Sequence, residues 1–357
     1  MRILQLIDSL AIGGAERMAI NYANAICDRV EVSALCSTRE EGPLRELIKP
    51  EVPYLYLARK RRLDVAAVFR LKRFIKQHQI KIIHAHGSSY FIAALVKLMT
   101  PGLKLIWHDH YGNSEFLKDR TTGYLRVFST LFDAVFSVNK KLAIWAKQTL
   151  KIEKTFYIKN FIAEALPYDT TKNFQGVRGK RIVCVANLRP QKNHHLLLDA
   201  FKKLLETDAE YTLHLFGEAP DTLYAKSILQ RLKEHPFKSS VFYHGLYLKM
   251  SAVLPHFDAG VLSSNSEGLP LALLEYEQAG LAVITTDVGQ CKQVLDDAGI
   301  SPGALGLIGV LLVLLLVLLE SFVTRGGIWL SVHAFLPTQS ESAAQRFMTV
   351  MADDASV

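Results

Sequence analysis

The chain has 357 residues, long enough for two ordinary domains, with 42 Lys and Arg against 34 Asp and Glu. The +8 balance is concentrated: residues 1–170 hold 26 Lys and Arg against 16 Asp and Glu, leaving 16 and 18 for the remainder. Such a basic half suits anionic partners such as phospholipid head groups, polyprenyl phosphates or nucleic acid, or is an ordinary solvated surface. Cys27, Cys36, Cys184 and Cys291 are far apart and form no C-x-x-C pair, which argues against a zinc site and a disulfide scaffold and for reduced thiols in the cytoplasm.

The opening MRILQLIDSLAIGGAER does not read as a signal peptide: its apolar stretch is short, Asp8 interrupts it, and no small-residue cleavage site follows. Through residue 165, the apolar runs RILQLI, VEVSAL, YLYLA, KIIHAHG, LKLIWHDH and AVFSVN alternate with helix-length segments. Alternation of this kind predicts a parallel, doubly wound sheet. The first strand runs through Gly13-Gly14 into a helix. Glycines there let a backbone approach a phosphate at a helix N-terminus, and a plain tight turn explains them equally well. Arg59-Lys60-Arg61-Arg62 leads into the amphipathic segment LDVAAVFRLKRFIKQHQ. Val65, Val68, Leu71 and Ile75 are expected to face the core, with Arg70, Lys72, Arg73 and Lys76 in water. That helix is either an ordinary surface helix or a docking face for anionic lipid. Nucleic acid is not expected, because no aromatic-rich basic module is present. His84 and His86 on one strand, and His108 and His110 on the next, suggest a metal cluster or buried, hydrogen-bonded imidazoles. No Cys or Glu completes a known ligand spacing, which favours the second.

Residues 162–179 lose the alternation and read as a linker. A second set follows in RIVCVANL, YTLHLFG, SVFYHG, AGVLSS and AVITT. Two Rossmann-like units in tandem would face a central cleft, with ligands at the carboxyl ends of the strands. Arg189 and Lys192, just past the first of these strands, suit a diphosphate, or are solvated loop cations. In EGLPLALLE, Pro270 fits the first position of a helix and Gly280 the residue past its end. Glu267 then lies in the entering loop, and Glu275 sits inside an apolar helix where a carboxylate needs a partner such as a ribose diol. The plain alternative is a capping acid and a solvated helix residue. From Ile300 to Leu319 no charged residue occurs, a length that would span a bilayer as a helix.

The stretch SNSEGLPLALLEYEQAGLAVITTDVG resembles the E-x7-E region of family-4 retaining glycosyltransferases of the GT-B fold. GGAER after the first strand and NLRPQK after the first strand of the second half are similar to other loops of that family. The resemblance implies an α/β GT-B protein: an acceptor-side domain over 1–165, a linker over 166–179, a nucleotide-sugar-binding domain over 180–300, and an atypical tail over 301–357. It implies that Glu267 meets the donor sugar hydroxyls, flanked by Gly268 and Leu269, and that Glu275 meets the ribose. Arg189 and Lys192 would stabilise the leaving diphosphate, Gly13 and Gly14 would face it, and His110, with His108 in reserve, would contact the donor sugar. No metal and no cofactor beyond the donor is expected. The implied activity is transfer of a sugar, with retention, from a nucleotide diphosphate to a glycan or lipid-linked saccharide, in polysaccharide or lipopolysaccharide assembly at the inner face of a membrane. Nucleotide-sugar epimerases share the fold, and an impaired nucleotide-sugar binder is a further alternative. The resemblance stops near Gly299, although SAAQRFMTVM is similar to the family's closing helix. A membrane anchor, a buried helix, or a segment altered or out of frame between about Ser301 and Ser340 are the three readings of the tail. The third is preferred, with poor solubility and weak activity expected from it.

Overall fold

The computed structural model describes residues 1–112, 114, 116–291 and 294, and the backbone of 330–333. The chain divides into two compact units, the first comprising Met1–Ala163 and the second beginning at Glu164. The expected closing helix and the apolar run over 300–319 lie outside the described residues. Among those residues no helix is long and apolar enough to cross a membrane.

In the first unit the expected apolar runs become β1 (Arg2–Ser9), β2 (Val32–Glu40), β3 (Tyr54–Tyr56), β4 (Ile82–His86), β5 (Lys104–Asp109) and β6 (Ala134–Ser137), joined by a short edge strand, β7 (Thr155–Tyr157). All pair in parallel in the order β3-β2-β1-β4-β5-β6-β7. Parallel strands need crossovers, here supplied by α1 (Gly14–Ile26), α2 (Val65–Gln77), α3 (Tyr90–Leu98), α4 (Gly123–Phe128) and α5 (Lys140–Leu150). Helix α2 starts where Asp64 accepts the Ala67 N–H at 2.9 Å. Val68, Leu71 and Ile75 enter the core as expected, with Ala67 and Phe74. Val65 does not: it is the first helical residue and 67% exposed.

The second unit repeats the plan with β8 (Arg181–Val185), β9 (Thr212–Phe216), β10 (Val241–Gly245), β11 (Ala259–Leu262) and β12 (Ala282–Thr286), and with α6 (His194–Thr207), α7 (Leu223–Arg231), α8 (Met250–Val253) and α9 (Leu271–Gln278). The sheet order is β10-β9-β8-β11-β12-β13, where β13 (Leu330–His333) runs antiparallel to β12. That edge strand falls in the tail, where the sequence shows no clear period. The expected linker is part of this unit: Phe174 is buried in its core, and Arg181 donates two hydrogen bonds to the Gly176 carbonyl, at 3.0 and 2.8 Å.

The sheet reverses its winding between β8 and β11, the switch point at which an open α/β sheet forms a crevice. These strands pair only through Ala259↔Ile182 and Gly260↔Val183. Beyond that point the Val185 N–H donates instead to the hydroxyl of fully buried Tyr276 on α9, at 2.7 Å. Gly260 leaves room for the ring, since a Cβ there would stand 2.4 Å from Tyr276 Cδ2. Tyr276 thus takes the place of a strand partner where β8 and β11 part. Tyr276→Phe removes that acceptor from a buried N–H and should lower stability by about 1–3 kcal/mol, read from urea unfolding. An unchanged midpoint would mean that the Val185 N–H has another partner.

Candidate active site

The loops that leave β8 and β11 interlock at this switch point. After β8, Pro190–Lys192 makes one tight turn, and Asn193, in the left-handed region at φ 47°, caps α6 by accepting the Leu196 N–H at 3.4 Å. After β11, residues 263–270 enter α9 and are buried except for Asn265. The Gln191 side chain donates to the Ser266 carbonyl at 2.7 Å, and the Asn265 N–H donates to the Gln191 carbonyl at 2.8 Å. Asn193 Nδ2 donates to Asn265 Oδ1 at 3.0 Å, and Ser263 Oγ donates to the Lys192 carbonyl at 3.0 Å.

Across this seam Lys192 Nζ lies 2.5 Å from Glu267 Oε1, which also accepts from Ser264 Oγ at 2.6 Å. Glu267 is only 4% exposed, so its charge needs a cation and hydrogen-bond donors. Gly289, at φ +60°, lies under the Glu267 carbonyl, where a Cβ would approach within 2.0 Å. Gly268 and Leu269 are buried in the same loop. Pro270 is the cap of α9 rather than its first helical residue, because its ψ of 125° is extended; Gly280, at φ +71°, follows the end as expected. Glu275 is partly exposed on α9, one turn after Leu271 and on the same helix face. Arg189 is exposed at the rim of the β8 loop. The fold therefore gathers Lys192, Glu267, Gly268 and Leu269 at one point, with Arg189 and Glu275 on the flanking segments.

Gly13, Gly14 and His110 belong to the first unit. Gly13 precedes α1 in an extended conformation with no side-chain cap, and Gly14 has open space where a Cβ would project. The four histidines meet. His84 Nε2 and His108 Nδ1 are 3.0 Å apart, and His86 Nδ1 and His110 Nε2 are 2.9 Å apart. His86 Nε2 also reaches Gln5 Oε1 at 2.9 Å. The rings stack across β4 and β5 under Tyr22 of α1. His84, His86 and His108 bring nitrogens within 4.8 Å of one another, a spacing a cation would accept. One nitrogen of each ring also pairs with a neighbouring ring, His84 with His108 and His86 with His110, a contact that neutral imidazoles make. Burial pushes all four pKa values down, and for His84, His86 and His108 the neighbouring rings add to it.

Sequence reasoning missed Arg120. It binds buried Asp109 through two bonds, at 2.6 and 2.8 Å, and stacks over Tyr111 and Trp145 at 4.3 and 4.1 Å. Asp109 alternates with His108 and His110, so the Arg120 pair occupies the other face of β5. The only signal in the sequence was a lone acid inside a buried strand.

The histidines give a signed pH dependence. Their folded pKa values lie below the ordinary 6.5, so the unfolded chain binds more protons in acid. The contribution is complete above about pH 6.5 and is lost as pH falls below it. Asp109, pushed up by burial, acts in the opposite sense, but only near the carboxylate range. The unfolding midpoint of the first unit should therefore fall between about pH 7 and pH 5, measured by thermal melts. A flat midpoint over that range would show that the imidazoles take up protons as readily in the fold as in the unfolded chain.

Residues 12–165 match the family described as Glycosyltransferase Family 4, and residues 179–306 match that described as Glycosyl transferases group 1. The O-antigen biosynthesis glycosyltransferase WbnH of Escherichia coli is 23% identical over 303 residues, covering 83% of this chain and 84% of its own. The phosphatidylinositol N-acetylglucosaminyltransferase GPI3 subunit of Saccharomyces cerevisiae is 24% identical over 238 residues, 63% of this chain and 52% of its own. Among solved structures, Anabaena Alr3699/HepE in complex with UDP aligns with a TM-score of 0.63 at 18% identity, over 82% of this chain and 83% of that one. Sucrose-phosphate synthase from Thermosynechococcus elongatus aligns with a TM-score of 0.66 at 14% identity, over 87% and 90%. A seven-stranded parallel sheet, a second sheet parallel except for β13, and family matches that together run from residue 12 to residue 306 make one conclusion: the chain is a glycosyltransferase of the group 1, family 4 type, with the GT-B fold.

Proposed function

We propose that the chain transfers a sugar, with retention, from a nucleoside diphosphate to a hydroxyl of a glycan or lipid-linked saccharide. The observation that carries this reading is the Lys192–Glu267 pair, 2.5 Å across the β8–β11 switch point. It holds a cation and a buried carboxylate where an open α/β sheet binds its ligand. In this reading Lys192 and Arg189 stabilise the charge that develops on the leaving diphosphate. Glu267, fixed by Lys192 and Ser264, orients the donor sugar, with the Gly268-Leu269 backbone at the opening of α9 beside it. Glu275 binds the ribose. Gly13 and Gly14 offer a close backbone approach to the diphosphate, and His110, kept neutral by burial, contacts the donor sugar. No step needs a metal or a covalent nucleophile.

The UDP named in the HepE structure supports a uridine nucleotide, and the O-antigen role named for WbnH supports a polysaccharide product. Cys36, Cys184 and Cys291 are buried free thiols, which suits the reducing cytoplasm. The basic helix α2 keeps its exposed cations available for an anionic membrane.

Lys192→Ala should reduce kcat by about 10²–10³, the usual effect of losing one stabiliser of developing negative charge. Glu275→Gln should weaken UDP binding instead. Donor turnover and UDP titration check both, and a kcat loss of less than about threefold would put Lys192 outside the chemistry.

A further inference from the structure

A cavity of about 340 Å3 opens in the first unit, lined by Arg39, Arg59, Lys60, Arg61, Arg62 and Ser88 among others. These residues end β2, follow β3 and follow β4, so the cavity lies at the carboxyl edge of the parallel sheet. Asp8 at the end of β1 is the carboxylate that ties the wall together. Its Oδ1 accepts from Arg59 Nη2 at 3.1 Å, and its Oδ2 accepts from Ser88 Oγ at 2.6 Å, with Arg39 Nε at 3.6 Å. Asp64, which accepts the Lys60 N–H at 3.4 Å, is a second carboxylate near Arg59; two carboxylates against five cations still leave the cavity positive.

Two details distinguish this wall from a solvated basic surface. Arg59 is 4% exposed, and its Nε is buried with no hydrogen-bond partner. A buried guanidinium donor left unsatisfied is costly, so Arg59 is a cation held inside the wall and not in open water. Arg62 is held in place by stacking on Tyr124 at 4.0 Å and Phe91 at 5.0 Å, which removes much of the entropy cost of ordering it.

We propose that this cavity is an anion subsite that takes a phosphate or diphosphate ester carried by the acceptor; the acceptor role rests on the transferase reading above. Guanidinium forks match the several oxygens of a phosphate, whereas a single carboxylate would leave most of these donors unpaired. The cations converge on a concave space around a buried arginine, which fits a discrete group better than a flat bilayer surface.

The test titrates the full chain with sodium pyrophosphate, with farnesyl diphosphate, with farnesol, with phosphatidylcholine vesicles containing phosphatidylglycerol, and with UDP. Arg61 and Arg62 are exposed, so the Arg61→Gln/Arg62→Gln variant should fold, as a thermal melt will verify. Pyrophosphate and farnesyl diphosphate should compete with each other and bind about tenfold or more weakly to this variant, as expected for lost charge-assisted hydrogen bonds. Farnesol should not bind, and UDP affinity should stay unchanged. Pyrophosphate binding that survives in this variant but is lost in Lys192→Ala would overturn the proposal, as would binding to the anionic vesicles alone. UDP that fails to bind the wild-type chain would count against the transferase reading, and with it the acceptor role, even where pyrophosphate binds.

Discussion

Glu267 is a carboxylate taken almost wholly out of water, and the second unit is arranged to make that tolerable. Lys192 and Ser264 neutralise and solvate it. Removing one partner of such a pair leaves an uncompensated buried charge, which costs more than the pair itself contributes. The loops after β8 and β11 are therefore tied to each other, and the Gln191–Ser266 and Asn193–Asn265 bonds repeat the tie on either side. Tyr276 permits the arrangement from below: it satisfies the backbone where the strands part, so the crevice opens without an orphaned N–H. The result is a cation and an acid held in fixed geometry; under the proposed function this is preorganisation of the kind electrostatic catalysis uses.

The first unit separates its polar groups differently. Under α1 the histidines and Gln5 form an interior seam that stays uncharged because burial disfavours the protonated rings. At the carboxyl edge Asp8 organises a group of arginines. One region is sensitive to acid and the other to salt, so the two can be told apart in solution.

Much of this was legible in the sequence. Eleven strand cores stand out as Ile-, Val- and Leu-rich runs, because parallel strands are covered on both faces. The edge strands β7 and β13 did not: TFY is not an aliphatic run, and LSVH lies in a stretch with no clear period. EGLPLALLE was readable because Pro270 and Gly280 bracket a helix by local backbone chemistry. Its contact with Lys192 was not, because 75 positions separate the partners and no periodicity encodes that approach. The same limit hid the Arg120–Asp109 pair. Arg59–Arg62 read as the preface to an amphipathic helix. Only the approach of Asp8 and Ser88, distant in sequence, turns that run into the wall of a cavity.

The central claim is that the loops after β8 and β11 form the nucleotide site, and backbone hydrogen exchange with and without UDP tests it most directly. Protection should rise in residues 186–193 and 263–276 together, because the two loops are bonded as one element. Protection confined to either loop alone, or appearing only around residues 59–62, would contradict the account.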